Sequence, residues 1–154
     1  MSTALQRKLK RGVQRSGAVT VNKVSIAVIK SGRSLPLLRP GSLLAVGVAG
    51  RKSGKYRLTP MGCVKVADDR FLVVPEHGHR SDWVRNVKAA GGPVDVWMAG
   101  RIYAGAMRES PGESPQKVLS QMKSKLLALM NRALSLDSCV LQITLTEPKG
   151  KAAG

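Results

Sequence analysis

Leu43-Leu44-Ala45-Val46-Gly47-Val48, then Gly50-Arg51-Lys52-Ser53-Gly54-Lys55-Tyr56-Arg57 and Leu58-Thr59-Pro60, is the stretch whose reading decides the fold. The apolar run has the length of a strand, and Met61, Cys63-Val64 and Val66 fit a second strand beyond the charged residues. The cationic segment is therefore a hairpin tip. Glycine tolerates positive φ, so Gly50 and Gly54 can tighten the turn and aim successive backbone N–H groups at one point, while Arg51, Lys52 and Lys55 add formal charge. A phosphate or carboxylate suits such a loop; a solvated basic hairpin is an equal reading of the spacing alone. A Walker-type phosphate loop is excluded, because that motif needs four residues between its glycines and Ser or Thr after Gly-Lys, whereas here Tyr56 follows Lys55.

Working outward, Phe71-Leu72-Val73-Val74-Pro75 reads as a third strand after an Asp68-Asp69 turn. Ser81 or Asp82 caps a short helix through Trp83, Val84, Asn86 and Val87, stopped by Gly91-Gly92-Pro93. Val94 to Ala99 and Arg101 to Met107 form a hairpin around Gly100. Ser114-Pro115 opens a longer helix with Leu119, Met122, Leu126, Leu129, Met130 and Ala133 on one face, a stripe that reads as core. Cys139 to Leu145 supplies a sixth strand. Six short strands with interspersed helices predict an α+β fold, a small, mainly antiparallel β-barrel with flanking helices. The expected organisation is a basic, helical or partly disordered segment over 1–40, the barrel domain over 41–147 and a tail over 148–154.

The chain has 154 residues, 43% hydrophobic, enough for one domain with a core. Its formal net charge of +17 is unevenly spread: no Asp or Glu precedes Asp68. Such a field concentrates anionic partners, whether a polyanionic cofactor, nucleic acid or an anionic bilayer. One Phe, two Tyr and two Trp make a poor stacking platform, which argues against nucleic acid. Cys63 and Cys139 lack metal or CxxC spacing and read as reduced thiols in strands, as expected for a cytoplasmic protein. Arg7, Lys8, Lys10, Arg11 and Arg15 surround Leu5, Leu9 and Val13 at helical spacing, a pattern for an interfacial helix on the inner face of a membrane, or for one packed on its own domain. Neither a signal peptide nor a membrane span is expected. His77 and His79 would need a further ligand to hold a metal, and no metal site is expected.

The turn Gly50 to Lys55, the strand Arg57-Leu58-Thr59-Pro60, the later Val73-Val74 and the helix Trp83-Val84-Arg85-Asn86-Val87-Lys88-Ala89 together resemble the deazaflavin (F420)-dependent nitroreductase family, whose members are FMN-binding-like split barrels. The resemblance covers about residues 40–110 and, more weakly, the closing strand. It implies that the turn residues Arg51, Lys52 and Ser53 and the strand residues Arg57, Leu58, Thr59 and Pro60 together hold the phosphate tail of coenzyme F420 and line its ring, with Lys55 adding charge, and that Trp83 and Asn86 complete the pocket. Val74, Pro75 and His77 fall at the matching strand end beside the ring. The coenzyme's phosphodiester and oligoglutamate tail would give the acid-free half of the chain an anionic target; FMN is the alternative cofactor. The implied activity is hydride transfer from reduced deazaflavin to a small quinone-, enone- or nitro-type acceptor. A non-catalytic F420 or fatty-acid carrier of the same fold is the alternative. The chain departs from the family at Gly62, where nitroreductases carry a Tyr. No catalytic acid is named by the sequence, although Ser53, Tyr56 and His77 are candidate donors.

Overall fold

The computed structural model describes residues 23–32, 43–75, 77–122 and 138–151. Its seven strands are β1 (Leu43–Ala49), β2 (Tyr56–Gly62), β3 (Val64–Ala67), β4 (Arg70–Val73), β5 (Pro93–Met98), β6 (Arg101–Glu109) and β7 (Leu141–Lys151). They form one sheet in the order β2-β1-β5-β6-β7-β4-β3, antiparallel throughout. The edge strands β2 and β3 are separated in sequence only by Cys63. Two residues of extended chain span at most about 7 Å, so the two edges must approach one another and the sheet curls. An α+β split-barrel-like fold results, with seven strands instead of the expected six.

The extra strand comes from the segment expected as one strand around Met61 to Val66. It begins earlier, at Tyr56, and divides at Cys63: β2 pairs with β1, whereas β3 pairs with β4. Alternation in sequence cannot reveal that a strand changes partners.

β1 is buried on both faces, which explains its unbroken apolar run. Leu44, Val46 and Val48 point into the main core with Phe71, Val73, Trp83, Val84, Val96 and Ile143. Leu43 and Ala45 point outward against Val28 and Ile29 of helix α1 (residues 23–31). Helix α2 (Asp82–Ala89) turns Trp83, Val84, Asn86 and Val87 into the core and ends at Gly91 and Gly92, whose φ values of 89° and 108° favour glycine. Helix α3 (Pro115–Gln121) is capped by the Ser114 side chain, which accepts from the Lys117 N–H, and Met122 is already extended. The expected continuation through Leu126, Leu129, Met130 and Ala133 lies outside the described residues, as does the Leu5, Leu9 and Val13 segment.

β7 runs on through Glu147-Pro148-Lys149-Gly150-Lys151, paired with β6, where the sequence suggests a tail. β4 pairs only with Leu141 to Thr144. Among the described strands the second side of β7 is thus an edge at Pro148, a position that tolerates proline. Among the described residues no helix is long and apolar enough to cross a membrane.

Candidate functional site

The β1–β2 connection closes on its own backbone: the Gly50 N–H donates to the Lys55 carbonyl at 2.8 Å and the Gly54 N–H to the Gly50 carbonyl at 2.9 Å. Gly54 has φ +69°, the left-handed geometry expected of it. At Gly50 the constraint is space, since a Cβ would lie 2.9 Å from Ser53 Oγ. Arg51 ties this turn to α2. Asn86 Oδ1 accepts from the Arg51 backbone N–H at 3.1 Å and from its Nη1 at 2.8 Å, and Asp82 Oδ1 accepts from Nη2 at 3.3 Å. Asp82 and Asn86 are four residues apart and so share a helix face.

Between the turn and α2 lies a cavity of about 330 Å³, lined by Val48, Gly50, Arg51, Lys52, Ser53, Arg57, Thr59, Asp82, Trp83 and Asn86. Three cations face one carboxylate there, leaving two net positive charges. Among the described residues, Lys52 and Arg57 make no side-chain hydrogen bond or ion pair, so their donors are available to a ligand. Trp83 is 8% exposed within the main core and also forms part of the cavity wall.

The remaining sequence candidates lie elsewhere. Side chains alternate along β2, so Arg57 and Thr59 face the cavity while Leu58 faces outward, packed with the α1 cluster, and Pro60 shares that register. Lys55 is exposed on the turn. Val74 packs with Leu72, Val118, Leu119, Met122 and Val140. Pro75 is buried, and its carbonyl accepts from the Gly78 N–H. His77 precedes a 3₁₀ turn (Gly78–Arg80), and its N–H donates to Ser81 Oγ. His79 sits instead beside Lys88 and Glu109. Among the described residues no three His, Cys, Asp or Glu side chains cluster as metal ligands do. Of the three candidate donors, only Ser53 lines the cavity. Tyr56 is on the outer face, where its Oη donates to Asp95 Oδ2 and accepts from Trp97 Nε1, both at 2.9 Å.

Val48 and Asp82 line the cavity without having been singled out as site residues, and Gly50, read as a turn glycine, lines it as well. Val48 was legible as the next inward residue after Val46. Asp82 reads as a helix cap, and only its i,i+4 relation to Asn86 hints at a shared role.

The wall suits an anionic cofactor: two unpaired cations, a fixed guanidinium and two hydroxyls surround a volume within the range of small-molecule sites. A comparison with curated proteins finds no match. Among solved structures, the protein Atu2129 (unknown function) from Agrobacterium tumefaciens is 16% identical with a TM-score of 0.50, over 69% of this chain and 48% of that one. The heme storage protein HutZ from Vibrio cholerae is 11% identical with a TM-score of 0.48, over 71% and 88%. An F420 reductase is 15% identical with a TM-score of 0.46, over 73% and 93%. Of these, only the likeness to Atu2129 bears on the fold, and at that identity it bears on nothing more. The sequence itself is decisive: residues 18–147 match the F420H(2)-dependent quinone reductase family, which favours F420 over FMN, and the chain belongs to that family.

Proposed function

We propose that this chain is an F420-dependent oxidoreductase that reduces a quinone-type acceptor, with enone- and nitro-type compounds as further candidates. The observation that carries the reading is the cavity between the β1–β2 turn and α2, where Lys52 and Arg57 stand unpaired beside an immobilised Arg51. These residues would hold the phosphodiester and acidic tail of the coenzyme, and Trp83 and Val48 offer apolar wall. When bound in its reduced form, F420 supplies a hydride to an electron-poor acceptor. The chain's own contribution is orientation and charge. Reduction leaves negative charge on the acceptor oxygen, and the Ser53 and Thr59 hydroxyls are donors in the wall that can meet it.

Titrating the full chain with F420 at low salt, following cofactor fluorescence, tests binding. Turnover of reduced F420 against a panel of quinones, enones and nitro compounds tests catalysis. Lys52→Ala should weaken F420 binding by roughly 1.5–3 kcal/mol, the range for a hydrogen bond to a charged group; an unchanged dissociation constant contradicts its placement on the anion. Binding without turnover on any acceptor would favour the carrier reading.

A further inference from the structure

Arg51 is held on α2 by the Asp82 backbone carbonyl, which accepts from Nη1 at 3.4 Å, and by two side chains of different character. Asn86 is neutral and only 7% exposed, and it grips both the Arg51 backbone N–H and Nη1. The Asp82 carboxylate bonds Nη2 at 3.3 Å from a side chain that is 85% exposed. Among the described residues, Asp82 is also the one carboxylate in the cavity wall. Resting on the anion-site reading above, we infer that Asp82 is a built-in competitor for the ligand: an incoming anion gains the undivided charge of Arg51, and the Nη2 donor that Asp82 occupies, by displacing the Asp82 carboxylate.

The geometry makes this exchange one-sided. Asn86 keeps its bonds when Asp82 leaves, so the guanidinium stays in place and presents Nη2 to the newcomer. An exposed ion pair has little net strength, because water solvates both ions once they separate. Displacement is therefore easy, but it is profitable only for some ligands. A small monoanion replaces one carboxylate by another of equal charge and gains nothing at Arg51. A ligand with several anionic groups also reaches Lys52 and Arg57, and gathers several charge-assisted bonds at once. Asp82 thus acts as a specificity-determining residue that sets the cavity to select multivalent anions over simple carboxylates and phosphate.

The test is a double-mutant cycle on the full chain, with F420 as the probe at fixed low salt and inorganic phosphate as competitor. Asp82→Asn should tighten F420 binding about two- to fivefold, the span of an exposed ion pair, and make phosphate a better competitor. In an Arg51→Gln background the same substitution should lose that gain. Unchanged or weaker F420 binding by Asp82→Asn overturns the inference. So does an equal gain with and without Arg51, which would make Asp82 a charge acting at a distance. If Asp82→Asn melts early, Asp82→Ser, which keeps an oxygen in the first helical turn, repeats the cycle under the same criteria. A wild-type chain that binds no F420 defeats the anion-site reading together with this inference; a wild-type chain that binds, with Asp82 without effect, defeats this inference alone.

Discussion

Tyr56 shows how one residue serves both faces of a strand. It lies between Lys55 and Arg57, and its ring crosses the outer face at Gly47, where a Cβ would collide with the phenol. Asp95 accepts from its Oη, and Lys149 in turn donates to Asp95 Oδ1 at 2.8 Å. This anchors β2 with Arg57 facing the cavity. Although the residue is 50% exposed as a whole, desolvation pushes the phenol from 10.0 up to about 12; the Trp97 N–H opposes the shift and the Asp95 carboxylate adds to it. The folded state therefore favours the neutral phenol. That contribution to stability is fully present below pH 10, the unfolded value, and is lost as pH rises towards about 12. Denaturant melts across this window should show a steeper fall for the wild type than for Tyr56→Phe, the lysines titrating equally in both; parallel curves would contradict the assignment.

At the scale of elements, the β5–β6 hairpin turns on Ala99 and Gly100, with φ of 48° and 78°. Positive φ at both central residues defines the turn type that matches strand twist, and Asn-Gly is its best sequence. Ala99 therefore holds a conformation that costs an L-residue with a Cβ about 1–2 kcal/mol. The strain is retained because the turn docks on α1: the Gly100 N–H donates to the Ile29 carbonyl at 2.7 Å, and α1 is thereby fixed across the back of β1. Ala99 is exposed, so a larger side chain has room. Ala99→Asn should stabilise the fold by about 0.5–1 kcal/mol, read as a higher midpoint in urea. A lower midpoint would mean that the docking on α1 depends on the small side chain.

At the scale of the whole molecule, the formal charge of +17 acts on any anionic ligand before a contact is made. The screening length is about 10 Å at 0.1 M salt and about 3 Å at 1 M, so high salt removes the distant cations from the ligand's field but leaves direct bonds at Lys52 and Arg57 partly intact. F420 affinity should therefore fall at least about tenfold between 0.05 and 0.5 M salt and then level off. An affinity indifferent to salt would assign the binding energy to the apolar wall instead. The same field extends over the turn, where Lys55 adds charge outside the cavity lining.

The sequence by itself determined the strands, the hairpin tip, the short helix from the Ser81-Asp82 cap and the family, because each is written in neighbours: apolar runs, glycines at a turn, and Arg-Lys and Trp-x-x-Asn at fixed spacing. It also brought Arg51, Lys52, Ser53, Arg57, Thr59, Trp83 and Asn86 to one candidate site, and these all line the cavity. Local pattern did not show that Leu58 faces α1, since a packed outer face and a packed inner face are equally apolar. Nor did it show that the strand through Cys63 leaves one partner for another, or that β7 continues past Glu147, because pairing is decided by residues far away in the chain. The role of Asp82 was likewise hidden: a helix-capping acid and a counter-ion for Arg51 have the same sequence. Only the folded chain, by bringing α2 against the β1–β2 turn, places that carboxylate on the guanidinium and forms the cavity beside it.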